Sequence, residues 1–345
     1  MDEGHGPLIA TVLPVYNEEV HLRTCLDALM QQTLAPSKHI IVVLDGGSTD
    51  RTPDIIEEVK RAYADSQYPE LLVIDNPDRT VAHARNIALR ELPSSVRFLV
   101  EMIGHAVVEH DHLEHRLAAW ERCLSLAGSN LAGVGVRVVP LNYQHGYASS
   151  WIEGALASPL GQSGGQFASF DQASTTDVPA FVMHERSALE SVGGWDTDFI
   201  TSQDSDLSMR LKKNGYALYR DPSTTVAMHK RTSLKQWWLM GHRYGFWRTK
   251  LLLRHPTRAK WQEFLPWIGV LVTALLSLLT SPVWWIPVSV YGGALLLGGL
   301  HQTIVQRSIT AVFGVPVCLF MLHTSFSIGL VDGLIRKGQL PNDRA

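Results

Sequence analysis

Two short acidic stretches carry the side chains best suited to chemistry. In Leu44-Asp45-Gly46-Gly47-Ser48-Thr49-Asp50 a carboxylate ends an apolar run and two glycines follow it. Glycine lets a ligand approach the backbone closely, and an ionised aspartate can accept two hydrogen bonds from an imide or a ribose. A plain turn followed by a helix cap has the same composition. No Gly-Lys-Ser/Thr follows, so the loop is not a Walker-type phosphate cradle, and its glycines do not have the dinucleotide-binding spacing. In Gly193-Gly194-Trp195-Asp196 and Gln203-Asp204-Ser205-Asp206-Leu207 an acidic turn opens a helix. Its dipole favours carboxylates at that end. One of Asp204 and Asp206 is expected to serve the helix start alone, and an acid held there facing a cleft is placed to act as a general base. His110, His112 and His115 lack the HExxH spacing of a metal helix and are expected on a solvated helix start. Cys25, Cys123 and Cys318 form no CxxC pair, which supports neither a disulfide framework nor a thiolate zinc site.

These residues fall between alternating strands and helices. Residues 8–15, 40–44, 71–74 and 97–100 are apolar runs of strand length, and helical patterns follow residue 18, Thr52-Pro53 and Val81. Thr52 is expected as N-cap, with Pro53 in the first helical position. Such alternation predicts an α/β domain with a mostly parallel sheet covered on both faces. Ligands then bind beyond the carboxyl ends of the strands, where Asp45 sits.

Charge is unevenly distributed. Only 18% of the 345 residues are charged, against about 25% in ordinary globular chains. From Phe264 to Val331 the one charged residue is Arg307. Two apolar stretches, 264–281 and 283–301, flank Pro282, and a third runs over 308–331. Each approaches the roughly 20 residues needed to span hydrocarbon. A broken or re-entrant third segment is the alternative, marked by Gly314, Pro316 and His323-Thr324-Ser325. Lys250, Arg254, Arg258 and Lys260 precede the first stretch, so the positive-inside rule places the front domain in the cytoplasm of a multi-pass cell-membrane protein. The acidic N-terminus lacks the apolar region of a signal peptide, in keeping with that side. Aromatic and basic residues interleave from Leu234 to Leu253, which predicts an interfacial helix. The division expected is therefore 1–233 for the catalytic domain, 234–260 for the interfacial region, 261–335 for two to three membrane helices and 336–345 for a tail. A net charge of −3 gives no footprint for nucleic acid.

In their order these motifs resemble family 2 glycosyltransferases of the GT-A fold, in particular the membrane-anchored, succinoglycan-biosynthesis-like branch. The matching pieces are Pro14-Val15-Tyr16-Asn17-Glu18, the Asp45 loop, Ala84-Arg85-Asn86, Gly193-Gly194-Trp195-Asp196, Gln203-Asp204 with Arg210, and Arg243-Tyr244-Gly245. The resemblance covers about residues 8–255. It implies a GT-A nucleotide-diphospho-sugar transferase domain followed by transmembrane helices. It implies that Asp45 binds the nucleobase, that Pro14, Tyr16 and Glu18 line the nucleotide pocket, and that Arg85 and Asn86 flank it. Asp204 corresponds to the base that deprotonates the acceptor hydroxyl, with Gln203 in place of the usual Glu. Arg243 and Tyr244 correspond to a motif that contacts the diphosphate or acceptor, with Met240 in place of its Gln.

The implied activity is inverting transfer of a sugar from a nucleoside-diphosphate donor, a UDP-sugar first, to a lipid-linked or polysaccharide acceptor. The implied cofactor is Mg²⁺ or Mn²⁺. Here the sequence departs from the family. An Asp-x-Asp or Asp-Gly-His motif is expected after the fourth strand, and the chain has Glu101-Met102-Ile103-Gly104-His105. Isoleucine offers no oxygen to a hard cation. His105 remains, and Glu101, two residues before Ile103 and on the same strand face as Ile103 and His105, is the available substitute, about 6.6 Å of strand further back than Ile103. The alternative function is a degenerate member that binds a nucleotide or a partner without transfer.

Overall fold

The computed structural model describes residues 6–141, 146–161, 170–229, 232–336 and 338. The chain divides into two compact units, Met1–Leu141 with Ser169–His229, and Asn142–Ala168 with Lys230–Ala345. The sequence-based division at 233 counted residues 142–168 with the front domain; they group with the second unit instead.

The elements in chain order begin β1 (Ile9–Val15), α1 (Leu22–Met30), β2 (His39–Asp45), α2 (Thr52–Ala62), β3 (Glu70–Asp75) and α3 (Val81–Glu91). There follow β4 (Phe98–Glu101), β5 (Ala106–Val107), α4 (His112–Ala127), β6 (Leu131–Pro140) and α5 (Tyr147–Ala157). Next come β7 (Ser174–Thr175), β8 (Met183–Glu185), α6 (Arg186–Ser191), α7 (Gln203–Lys213) and β9 (Ala217–Met228). The chain continues with α8 (Leu234–Arg254), α9 (Leu265–Leu278), α10 (Ile286–Gln306) and α11 (Ala311–Ile335).

Among the described residues nine strands join one sheet in the first unit, ordered β3-β2-β1-β4-β8-β6-β9-β5 with β7 also on β9. The block β3-β2-β1-β4 is parallel. β8 runs against β4 and β6, and β9 returns parallel to β6. The sheet is thus mixed, with most strands in one direction. Side-chain alternation explains the double cover. Leu13, Ile41 and Val43 face one layer with Leu22, Leu26 and Leu29 of α1, Val59 of α2 and Trp120 of α4. Ala10, Val12, Val42 and Leu44 face the other with Ala84 and Ala88 of α3 and Leu207 and Leu211 of α7. Each large aliphatic side chain so buried contributes about 1.5–3 kcal/mol. Register places Val15 beside Asp45 and Asp45 beside Asp75, so the carboxyl ends of β1, β2 and β3 are level.

In the second unit α8 and α11 approach at backbone distance. A Cβ on Gly245 would run into Phe326 O, and Cβ atoms on Gly329 and Gly333 would run into the carbonyls of His242 and Phe246. Trp237, Phe246 and Trp247 are buried, and Trp237 Nε1 donates to Cys318 O at 2.8 Å. Three of the five aromatics of the expected interfacial helix are thus taken up in helix packing, while Trp238 is half-buried and Tyr244 exposed. α5 joins the bundle through Trp151 Nε1, which donates to Thr310 Oγ1 at 3.1 Å, and Ser150 Oγ, which donates to Gln306 Oε1 at 2.9 Å. Among the described residues three helical segments, Trp261–Leu278, Ile286–Gln306 and Ala311–Ile335, are long and apolar enough to cross a membrane. The third is continuous through Pro316, against the broken alternative. α10 packs against this turn: a Cβ on Gly299 would meet the Pro316 ring.

Candidate functional site

β1 ends in a tight exchange with the loop after β2. Asn17 takes the left-handed conformation, with φ 53°. Its N–H donates to Ser48 Oγ at 2.9 Å, and its Oδ1 accepts from Thr49 N at 2.8 Å. Thr52 is not the expected cap of α2. Thr52 is instead the first residue of the helix: its hydroxyl accepts from Glu18 N at 2.8 Å, while Asp50 Oδ1 accepts from Thr52 N at 2.9 Å. Asp45 accepts from Ser48 Oγ at 2.6 Å, which orients its carboxylate at the strand end. Arg79 lies 5.4 Å from the centre of the Tyr16 ring. Pro14, Tyr16, Glu18 and Asp45 therefore lie at or just beyond the adjoining ends of β1 and β2.

The second acidic stretch opens α7, where Ser202 is left-handed with φ 68°. The two aspartates part company. Asp206 is buried and pairs with Arg210 at 2.8 Å; that guanidinium also donates to Val192 O at 2.7 Å and Gly194 O at 2.8 Å. Asp206 thereby anchors the Gly193-Gly194 turn. Asp204 is more open, its side chain 29% exposed, and accepts from Arg85 Nη1 at 2.6 Å. Asn86 exchanges two hydrogen bonds with the Trp195 backbone, at 2.7 and 2.8 Å. Arg85 and Asn86, expected beside the nucleotide, thus connect α3 to the segment that delivers Asp204.

Glu101 is not a free metal ligand. It is buried, its Oε2 lies 3.2 Å from Arg85 Nη2 and its Oε1 lies 3.2 Å from His184 Nε2. Burial pushes this carboxyl up, but Arg85 and the His184 hydrogen bond outweigh it and hold Glu101 below the usual range. The expected shared face with His105 fails because β4 ends at Glu101 and strand alternation ends with it. His105 Nδ1 instead meets Glu18 Oε1 at 2.9 Å. Ile103 packs against the core. His229 N donates to His105 O at 3.1 Å, and the His229 and His21 rings stack at 3.7 Å. Burial lowers the pKa of both stacked histidines. Near-parallel rings hold their nitrogen lone pairs in separate planes, which do not converge on one ion. Among the described residues no group of three His, Cys, Asp or Glu side chains is arranged to hold a metal. The residues present do not fit a self-contained cation site.

Sequence reasoning missed His184, Trp195 as a backbone partner, and the His21–His229 stack. Each lies far in sequence from the group it meets, and no local pattern marks it. His112 was expected in solvent and is buried; its ring pKa falls to about 3, first from burial and then from Arg116. Arg243 and Tyr244 lie on α8 in the second unit, Arg243 half-buried and Tyr244 exposed.

The glycosyl transferase family 2 pattern matches residues 11–193, and that of glycosyl transferase family group 2 matches residues 106–301. A Methanococcus voltae protein named dolichyl N-acetyl-alpha-D-glucosaminyl phosphate 3-beta-D-2,3-diacetamido-2,3-dideoxy-beta-D-glucuronosyltransferase is 25% identical over 329 residues, covering 95% of this chain and 97% of its own. Succinoglycan biosynthesis protein ExoA of Rhizobium meliloti is 27% identical over 322 residues, with 92% of each covered. Among solved structures, the mannosyltransferase PcManGT of Pyrobaculum calidifontis, in complex with GDP-Man and Mn²⁺, superposes with a TM-score of 0.60 at 18% identity, covering 95% of this chain and 87% of that one. At that identity it shows the GT-A fold. The first pattern alone covers more than half of the chain, which settles the family: this protein belongs to glycosyl transferase family 2 and is a glycosyltransferase.

Proposed function

We propose that the protein transfers a sugar from a nucleoside-diphosphate donor to a lipid-linked or polysaccharide acceptor, with inversion, at the cytoplasmic face of a membrane. The observation that carries the catalytic part is Asp204, the partly exposed acid at the start of α7, held by Arg85 at 2.6 Å. The Asp204 carboxylate takes the proton of the acceptor hydroxyl as that oxygen bonds to the anomeric carbon. The bond from that carbon to the diphosphate breaks, and its electron pair leaves on the phosphate oxygen. Attack opposite the leaving group inverts the centre. Asp45 reads the base, with a uracil imide the first choice, and Pro14, Tyr16 and Glu18 line its pocket. The donor is then a UDP-sugar.

For Arg243 and Tyr244 the proposal rests on the motif alone: contact with diphosphate or acceptor. Among the described residues Mg²⁺ or Mn²⁺ finds no group of three His, Cys, Asp or Glu side chains, so no step is assigned to a cation. The acceptor class is supported by the names of the Methanococcus and Rhizobium relatives, which cite a dolichyl-linked sugar and a polysaccharide. The membrane side is supported by Lys250, Arg254, Arg258 and Lys260 before α9, by Arg307 between α10 and α11, and by the uncharged α9–α10 turn.

The test is turnover of UDP-glucose, UDP-N-acetylglucosamine and GDP-mannose by full-length protein in detergent with a membrane-lipid acceptor extract. Product anomers are read by NMR. Asp204→Asn is expected to cut turnover at least 100-fold. Activity surviving in that variant removes the proposed base, and a retained anomeric configuration removes the single displacement.

A further inference from the structure

α11 is the longest and most apolar of the three membrane-length helices, yet it has the most protein around it. In its most apolar stretch 44% is buried, against 17% for α10 and none for α9. Its contacts with α10 run from Val312 and Pro316, against Gly299, to His323, whose Nδ1 lies 2.9 Å from Tyr291 Oη. α8 covers the second half and runs alongside in the same direction. Trp237 meets Cys318, Gly241 meets Ser325, Gly245 meets Phe326, Thr249 meets Leu330 and Lys250 meets Arg336.

The two ends of α11 fix its path. It begins just across the turn at Arg307 from the end of α10. It ends beside the entry to α9. Lys250 Nζ donates to Arg336 O at 2.7 Å, and Arg248, in the same turn of α8, donates to Arg258 O at 2.8 Å and to Glu263 Oε2 at 2.7 Å. A membrane hairpin of α9 and α10, joined by the uncharged turn at Ser281-Pro282, brings the start of α9 and the end of α10 out on one side. Both ends of α11 are held at that side, and a helix so held has not crossed. Charge agrees. Gly241 lies against Leu322 and Gly245 against Leu330, so a spanning α11 would hold Arg243 of its parallel neighbour near the middle of the bilayer. A cation there is among the costliest groups a membrane protein can carry.

We propose that α9 and α10 are the two crossings of this chain, and that α11 lies with α8 along the lipid surface on the side of Lys250 and Arg307. The inference rests on the spanning reading of α9 and α10. The face of α11 turned from the protein carries exposed Phe313, Val317, Phe320, Ile328 and Ile335, spaced as one helical stripe. This stripe meets the acyl chains, and α8 supplies Lys235, Arg243, Lys250 and Arg254 for acidic headgroups. At ~37 Å, α11 is long enough to lie as a float beside the hairpin. Lys337 and Arg344, which follow it, then share the side of Lys250, as the positive-inside rule favours.

The test locates three points on the full chain expressed in a bacterium. A reporter fused after residue 345 is either a fluorescent protein that matures inside the cell or alkaline phosphatase, active outside. A membrane-impermeant maleimide added to intact cells probes Ser281→Cys; wild type is the control, since Cys25, Cys123 and Cys318 are buried. The expected result is labelling at position 281 from outside, a fluorescent tail fusion and no phosphatase activity. Labelling at 281 together with an active phosphatase shows that α11 crosses and overturns the inference. No labelling at 281, with a fluorescent tail, shows instead that the α9–α10 hairpin does not cross, and the spanning reading fails with it. Depth gives an independent check. Nitroxides on Phe313→Cys, Phe320→Cys and Ile328→Cys, in vesicles containing phosphatidylglycerol, should show similar shallow depths by oxygen and nickel-chelate accessibility. Depths differing by ~20 Å between 313 and 328 are those of a span and overturn the surface placement. Spin–spin broadening between chains at high lipid dilution would show that a second copy, rather than lipid, covers the stripe, and would overturn the lipid contact.

Discussion

Asp45 and Asp204 are the same residue type at the same edge of one sheet, and their neighbours divide their work. Asp45 is oriented by Ser48 and Asp204 by a guanidinium. Asp45→Ala should weaken UDP binding by about 1.5–3 kcal/mol, the worth of a hydrogen bond to a charged group. Calorimetry on the folded variant checks this, and unchanged affinity rejects the nucleobase role. Ile103→Asp restores an oxygen donor two residues before His105 and should raise Mn²⁺ affinity at least ten-fold by electron paramagnetic resonance titration. A variant that binds Mn²⁺ no better than wild type shows that position 103 does not govern cation binding. Buried histidines set a pH limit. Burial lowers His39 to about 3, and His112 falls to about 3 by burial and Arg116. Both are depressed, so the unfolded chain binds protons that the folded chain refuses. Stability is full above about pH 6.5 and is lost as pH falls toward 3, by roughly 2 kcal/mol per histidine at pH 5. Unfolding midpoints between pH 7.5 and 4.5 should fall steeply, and His112→Asn should flatten the curve.

Among the elements, the turn before α7 is the most demanding. Gly193 and Gly194 are both left-handed, with φ 76° and 71°, and a Cβ on Gly194 would run into Asn86 Oδ1. Asn86 holds the Trp195 backbone and Arg210 holds the Gly194 carbonyl, so this turn decides where α7, and hence Asp204, begins. Gly194→Ala should cost about 1–3 kcal/mol in strain and collision. The check is a lower denaturant midpoint accompanied by lost turnover. A variant as stable and active as wild type would show that the turn does not place Asp204. The α8–α11 contact is the counterpart in the second unit, where glycines replace side chains on both helices.

At the scale of the molecule the two units differ in what their outer surfaces ask of the surroundings. No residue of α9 is buried, and Leu271, Leu275 and Leu278 project outward, as do Leu296, Leu297, Leu300 and Ile304 of α10. Apolar surface on this scale marks a membrane or partner interface. The full chain is expected to resist carbonate extraction, and release by carbonate would defeat the spanning proposal. A fragment ending at residue 260 should lose integral attachment. It should also aggregate, because Ile152, Trp237 and Phe246, buried in the second unit, lose the company of α10 and α11. A monodisperse 1–260 fragment on size exclusion would contradict that.

Local pattern was enough for much of this. Apolar runs of strand length, the glycine-flanked Asp45 and the charge-poor stretch after residue 263 depend on neighbours within a few positions, so the βα alternation, the strand-end loop and three apolar stretches were legible in the residues alone, though not whether the third was one continuous helix. The division of labour between Asp204 and Asp206 was not, since both suit a helix start and only the tertiary partners, Arg85 for one and Arg210 for the other, tell them apart. Glu101 looked like a spare cation ligand because strand alternation was carried past the point where β4 stops; its true partners come from 16 and 83 residues away. Trp237 of α8 looked like a membrane-surface residue because its partner, Cys318 O, lies on α11, 81 positions later. What a residue touches across the fold is set by how elements pack. That packing depends on shape and burial summed over the whole chain, which no short window of sequence contains.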